Sequence, residues 1–302
     1  MNGCPANEKC LSKSVVKTRR LEKSAANCQR GGSLTLTIDY ENWKREYAPV
    51  LETFTGKTIF VLYSGGKDSS AMLHLFDQAR RDLGFAFQVH AGAFPHHRYT
   101  QAEKHRLANY WQARNVNITW HAVAATDDEL NEGSEPCHKC QQIRKKLLQR
   151  YLLKTAPPWN EVVLVISYSL WDLVSYTLEN LLGGLLAQPN EVTGVDQRFL
   201  ETAQRFYPLL EMKEGYQIFR PLIRFNDTEI EALINVHKIP VLAIPCAHKS
   251  HRPKRVLGQY YASQELRFDY DRVLTFARDV LNLPEKSVFR SLSKEDYLGR
   301  VF

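Results

Sequence analysis

The chain has 302 residues, of which 44% are hydrophobic and 24% are charged, and these are ordinary values for a folded globular protein. This length predicts one large domain with appendages rather than two independent domains. The formal charge of +7 favours a polyanionic partner. The sequence contains no signal peptide and no apolar run of about 18 residues, which is the length a membrane span needs. We therefore expect a cytoplasmic protein with no membrane partner.

The first 36 residues are predicted to form a flexible basic arm. Residues 1–34 contain seven Lys or Arg residues against two Glu residues, which gives a net charge of +5. A solvated tail and an RNA-binding tail are both compatible with this charge. The arm also carries Cys4, Cys10 and Cys28, which are interpreted either as surface thiols or as ligands of a small zinc knot.

After the arm, apolar strands alternate with amphipathic helices. The pattern predicts strands at 59–63, 85–91, 118–123, 162–166 and 218–222, and helices at 40–54, 71–76, 100–114, 140–154, 171–186 and 226–234, with further helix to about 281. Residues 189–215 are interpreted as loop with some helix. Continuously apolar strands indicate a parallel sheet that is covered on both faces. We expect an α/β fold with a doubly wound parallel sheet at 37–245 and a helical C-terminal extension at 246–302.

A glycine-rich turn, Ser64-Gly65-Gly66-Lys67-Asp68-Ser69, lies between the first strand and its helix. Two glycines let the backbone approach an anion, and the helix N-terminus adds positive potential. The turn is not a Walker loop, because Ser64 directly precedes the glycine pair. In a parallel sheet this position is the carboxyl end of a strand, where ligands bind. The turn therefore predicts a phosphate site.

Three further cysteines indicate metal or sulfur chemistry. Cys137 and Cys140 are separated by two residues at the start of a predicted helix, where the helix N-terminus stabilises a thiolate. Cys246 follows Ile244-Pro245 and precedes a basic segment, as a third ligand would. These residues alone leave three alternatives open: an iron–sulfur cluster, a zinc ion with His138 or His248 as fourth ligand, and a cysteine persulfide.

The loop Ser64–Ser69, the segment Cys137-x-x-Cys140-x-x-x-Arg144 and the segment Ile244-Pro245-Cys246 occur in this order. With these motifs the chain resembles the tRNA 2-thiocytidine synthetase family of the PP-loop ATP pyrophosphatases, over roughly residues 55–260. The resemblance implies an ATP-dependent sulfurtransferase. Such an enzyme adenylates a carbonyl-type oxygen of a base, releases pyrophosphate and AMP, and replaces the oxygen with sulfur from a 4Fe-4S cluster held by three cysteines.

Carried over to this sequence, the resemblance implies ATP, Mg²⁺ and the 4Fe-4S cluster as cofactors. The cluster ligands would be Cys137, Cys140 and Cys246. The phosphate groups would be bound by Ser64, Gly65, Gly66 and Ser69. Lys67 would neutralise their charge, Asp68 would bind Mg²⁺, and Asp172 would bind a metal ion or the nucleotide. A solvated aspartate at a helix start is the other interpretation of Asp172. The predicted tRNA contacts are Lys249, Arg252, Lys254, Arg255 and Arg144.

One stretch departs from the family pattern. Relatives carry Gly-His-His before the aspartate that corresponds to Asp172, whereas this chain has Tyr168-Ser169-Leu170-Trp171 and no second aspartate at Leu173. The acceptor is therefore open between tRNA and a small heterocycle such as a purine. A non-catalytic nucleotide-binding protein and an adenylyl-sulfate-reductase-like protein are further alternatives.

Other partners and one histidine pair complete the expectations. A cysteine desulfurase or another sulfide source would supply the sulfur, and a homodimer is left open. His96 and His97 follow the second strand. They are interpreted either as substrate or phosphate contacts or as a loop pair without a role.

Overall fold

A computed structural model describes residues 37–132, 135–155, 158–182 and 195–301. The predicted arm at 1–36, with Cys4, Cys10 and Cys28, lies outside these ranges. The described strands are β1 (Thr58–Leu62), β2 (Gln88–Gly92), β3 (Ile118–His121), β4 (Val162–Val165), β5 (Leu209–Glu211) and β6 (Gln217–Phe219).

The described helices are α1 (Tyr40–Leu51), α2 (Lys67–Leu83), α3 (Gln101–Gln112), α4 (Pro136–Thr155), α5 (Leu170–Asn180), α6 (Val195–Ala203), α7 (Asp227–Val236), α8 (Pro253–Ser263), α9 (Tyr270–Leu281), α10 (Lys286–Arg290) and α11 (Lys294–Asp296). Six of them, α1 to α5 and α7, correspond to the helices that were predicted with bounds from amphipathic spacing. Local signals set several ends: Thr100 caps α3 through its side chain, and Gly84 ends α2 in the left-handed conformation. In the described part of the chain, no helix is both long and apolar enough to cross a membrane.

The strands form one sheet in the order β3-β2-β1-β4-β6-β5. All neighbours are parallel except β5, which pairs antiparallel with β6 at the edge. The mostly parallel, doubly wound sheet confirms the predicted fold class. The expectation of loop with some helix at 189–215 was wrong in part, because it missed β5. A three-residue strand is too short to show a period, and its pairing with β6 defines it.

Both faces of the sheet are covered by apolar side chains. Ile59 and Val61 of β1 pack in one buried cluster with α1, α2 and α7, whereas Phe60 between them packs in the opposite cluster with α4, α5 and α9. This alternation places α2 and α5 on opposite faces. Because α2 follows β1 and α5 follows the adjacent β4, the chain leaves these two strands in opposite directions and a crevice opens at their carboxyl ends.

Phe76 of α2 provides a test of the packing. Its side chain is fully buried and contacts the rings of Trp43, Phe54, Phe85 and Phe219. We expect Phe76→Ala to lower the free energy of unfolding by about 3–5 kcal/mol, because it leaves a cavity among these rings. Urea denaturation measures the loss. Phe276→Ala is the matched control, since that ring is 40% exposed, and it should cost about 1 kcal/mol or less. Equal losses in the two variants would contradict the described core.

Candidate active site

The glycine-rich turn lies at the carboxyl end of β1 and closes on itself through its serines. Ser64 Oγ lies 3.0 Å from Ser69 Oγ and accepts a hydrogen bond from the Gly66 N–H at 3.3 Å. Gly65 has a φ of +69°, and a Cβ there would lie 3.2 Å from Leu107 Cδ1. Both facts favour glycine at this position. The N-terminus of α2 opens directly from the turn, as a phosphate site requires.

Lys67 is held between two carboxylates. Its Nζ lies 2.8 Å from Asp68 Oδ1 and 2.5 Å from Asp227 Oδ2. Burial opposes the charge on the ammonium, but the two carboxylates outweigh it and raise the pKa of Lys67. Burial also raises the pKa of Asp227, against the attraction of Lys67.

Sequence reasoning missed Asp227 as a site residue. The segment from Asn226 is predicted from the sequence only as a helix at 226–234, and Asn226 does form a capping box with Glu229. Asp227 is the first residue of α7, beside this cap. The sequence carries no signal for its role, because an acidic residue in the first turn of a helix is common.

Asp172 is buried at the start of α5, with only 2% of its surface exposed, so it is not a solvated aspartate. It completes a capping box with Ser169, and its carboxylate forms an ion pair with the Lys254 ammonium of α8. Although 46% of the Lys254 side chain is exposed, desolvation within the crevice lowers its pKa to about 8. Leu173, where relatives have a second aspartate, is fully buried in the core.

The three cysteines lie near one guanidinium group, that of Arg252. Cys137 and Cys140 lie in the first turn of α4, as predicted, and Cys137 Sγ donates to the His248 backbone oxygen at 3.4 Å. Arg252 hydrogen-bonds Cys137, and its charge interacts with the thiols of Cys137, Cys246 and Cys140. Burial raises the pKa of Cys140, while nearby positive charges oppose that shift. Three thiols beside a cation form a donor set that suits an iron–sulfur cluster.

The histidines considered for zinc have other contacts. His138 Nδ1 lies 3.7 Å from Glu135, and its ring also contacts Gln142. The His248 ring lies 6.3 Å from the His97 ring, measured between centroids. Among the residues that the structure describes, no three His, Cys, Asp or Glu side chains converge as ligands of a single metal ion.

The loop that carries Cys246 is hydrogen-bonded to the glycine-rich turn. The Leu242 N–H donates to the Gly65 oxygen at 2.6 Å. At the start of α3, Glu103 accepts from the Ala243 N–H at 2.9 Å and Arg106 donates to the Val241 oxygen at 2.7 Å. These contacts fix the third cysteine relative to the predicted phosphate site.

His97 holds the other end of this loop. Its Nε2 accepts from the Ala247 N–H at 3.2 Å, and its Nδ1 lies 2.8 Å from Asp127 Oδ2, which fixes the ring. His96 instead lies 3.0 Å from the Ala125 oxygen. Neither interpretation of this pair from sequence included the contact that His97 makes with the cysteine loop.

The predicted RNA contacts fall into two groups. Lys249, Arg252, Lys254 and Arg255 are all exposed, and two of them also have partners: Lys254 pairs with Asp172, and Arg252 lies beside the thiols. Arg144 is half-buried, and its charge acts on Cys140. The basic segment therefore contributes partners to Asp172 and Cys137 as well as exposed charge.

Comparisons with known proteins agree with the resemblance. No family model matches the chain. Over 215 residues it is 27% identical to the tRNA-cytidine(32) 2-sulfurtransferase of Syntrophotalea carbinolica, a match that covers 68% of this chain and 74% of the relative. It is 24% identical over 196 residues to the enzyme of the same name from Psychromonas ingrahamii, and this match covers 63% of this chain and 56% of the relative.

A solved structure supports the fold. The U34-tRNA thiolase NcsA from Methanococcus maripaludis, solved with its 4Fe-4S cluster, matches with a TM-score of 0.56 at 14% identity. This match covers 82% of this chain and 81% of that chain. The resemblance to PP-loop tRNA thiolation enzymes, predicted from three ordered motifs, is confirmed.

The contact between His97 and Ala247 can be tested by amide exchange. We expect His97→Ala to speed hydrogen–deuterium exchange at 241–247 about fivefold to tenfold, because the loop loses one hydrogen bond and a fixed ring. His96→Ala is the matched control, since His96 contacts Ala125 and not this loop. Exchange at 241–247 that is unchanged in His97→Ala would contradict the described anchoring.

Proposed function

We propose that the chain is an ATP-dependent sulfurtransferase that thiolates a base of tRNA. The observation that carries this proposal is the 2.6 Å hydrogen bond from the Leu242 N–H to the Gly65 oxygen, which couples the loop of the third cysteine to the phosphate-binding turn. Both halves of a thiolation reaction can then share one crevice. The likeness to two tRNA-cytidine(32) 2-sulfurtransferases supports tRNA over a small heterocycle as the acceptor, and a cytidine as the base.

The phosphate groups of ATP would bind at the turn. The phosphates would accept hydrogen bonds from the N–H groups of Gly65 and Gly66 and from the hydroxyls of Ser64 and Ser69. Lys67 would neutralise negative charge that develops on the phosphate oxygens. Asp68, whose side chain is 24% exposed beside Lys67, suits Mg²⁺ as an oxygen ligand. Asp172 and Asp227 hold the two lysines of the crevice in position.

The reaction consists of a displacement at the α-phosphorus of ATP, followed by a displacement at the activated carbon of the base. The carbonyl oxygen attacks the α-phosphorus of ATP, and pyrophosphate leaves with the bonding electrons. Hydrosulfide then attacks the activated carbon, the carbon–oxygen bond breaks, AMP leaves, and the sulfur loses its proton to solvent. Adenylation is needed because the oxygen of an unmodified base is a poor leaving group. Exclusion of water from the crevice would protect the adenylated base from hydrolysis.

Cys137, Cys140 and Cys246 would hold the 4Fe-4S cluster. The chemistry that such a cluster would supply, if bound by these three cysteines, is the binding and delivery of hydrosulfide. Arg252 would balance part of the negative charge of the three thiolates. A cysteine desulfurase or another sulfide source would deliver the sulfur.

Cys246 provides the test. Wild-type protein purified anaerobically should be brown and contain about four irons per chain. We expect Cys246→Ala to lose the iron and the formation of thionucleoside, detected by mass spectrometry of digested tRNA. Its affinity for ATP should stay within about threefold of wild type, since the phosphate-binding turn is intact.

Cys28→Ala is the matched control, because Cys28 belongs to none of the three ordered motifs on which the proposed cluster site rests. It should retain both iron and thionucleoside formation. Thionucleoside formation by Cys246→Ala at the wild-type rate would show that the third cysteine is not required and would reject the proposed three-ligand site.

A further inference from the structure

Two tyrosines and a buried arginine form a cluster after β4 that the proposed reaction does not use. The rings of Tyr168 and Tyr176 lie 6.3 Å apart between centroids at 76°. The Arg205 guanidinium lies 5.2 Å from the centre of the Tyr168 ring and 4.4 Å from that of Tyr176. Both rings are half-buried, so each retains accessible surface.

Arg205 makes this cluster more than a packing contact. The residue is only 4% exposed, and its Nε has no hydrogen-bond partner among the described residues. A buried donor without a partner is costly, and sites that bind a ligand are where such a cost is tolerated. The two tyrosine rings stabilise the guanidinium charge through their faces, which keeps it in place.

The cluster adjoins residues of the proposed site on two sides. Tyr168 directly precedes Ser169, and Tyr176 lies one helical turn after Asp172 on α5, so both are close to the residues at the carboxyl end of β4. On the other side, the charge of Arg252 acts on Tyr176, and Arg252 also contacts Cys137. A group bound at Tyr168 and Tyr176 would therefore lie near Asp172 on one side and near Arg252 and the thiols on the other.

We propose that Tyr168 and Tyr176, supported by Arg205, form a platform for the acceptor base, which stacks on the face of one ring and contacts the other ring, inclined at 76°, at an edge. The ligand class is a single unstacked nucleobase of RNA, because aromatic side chains next to a guanidinium bind splayed bases by stacking. A base must leave its own stack before an enzyme reaches its edge. This inference rests on the proposed function, and it assigns a role to the stretch that departs from the Gly-His-His pattern.

The test is a binding cycle that does not depend on activity. The probe is an anticodon stem–loop RNA, either intact or carrying an abasic site at each loop position in turn, and the protein is the full chain purified anaerobically. At one position we expect wild-type protein to bind the intact RNA about tenfold more tightly than the abasic RNA. In Tyr168→Leu and in Tyr176→Leu, measured separately, this ratio should fall towards one.

Conservative and control variants separate stacking from folding. Tyr168→Phe and Tyr176→Phe keep the ring and should restore most of the ratio. Tyr260→Leu, which removes a tyrosine that is 56% exposed on α8, should leave it unchanged. A ratio that is the same in wild type and in both leucine variants would overturn the platform, as would a wild type that discriminates no loop position.

The outcome is distinguishable from failure of the proposed function. A wild type that forms no thionucleoside but discriminates one base through Tyr168 and Tyr176 would reject the reaction and support the base site. If the wild type thiolates tRNA but the ratio of affinities for intact and abasic RNA is unchanged in both leucine variants, the reaction is supported and the platform is rejected.

Discussion

Strands β1 and β4 are hydrogen-bonded neighbours, and their following helices pack on opposite faces of the sheet. The site depends on this constraint, because two connections that leave neighbouring parallel strands towards opposite faces of the sheet open a crevice between them. The glycine-rich turn follows β1, and Tyr168, Ser169 and Asp172 follow β4. Neither loop could form the site without the other.

Ion pairs and loop contacts then add residues that are distant in sequence. Lys67 of α2 is held by Asp227 of α7, and Asp172 of α5 is paired with Lys254 of α8. The loop that ends at Cys246 is attached to the turn through Leu242. Charges that balance within a crevice keep lysines in position without closing the site to a charged ligand. The same arrangement gives the proposed phosphate and sulfur chemistry a common location.

The sequence predicts those parts of the fold and site that are encoded in short segments. Continuous apolar runs identify the parallel strands, and the order of the glycine-rich turn, the paired cysteines and the third cysteine indicates thiolation chemistry. Asp227 and His97 could not be predicted, because their roles come from contacts with Lys67 and Ala247 that only the tertiary structure creates. Strand β5 was missed for a related reason, since its identity depends on pairing with β6. The cluster of Tyr168, Tyr176 and Arg205 joins three segments that carry no common motif.

The central claim is that adenylation and sulfur transfer are coupled in one crevice. The most direct measurement is the stoichiometry of a reaction containing anaerobically prepared protein, ATP, unmodified tRNA and a sulfide source. We expect one AMP and one pyrophosphate to be released for each thionucleoside formed, and no thionucleoside to form when ATP is omitted. Thionucleoside formed without ATP, or AMP released in the same amount with no thionucleoside formed, would contradict the claim.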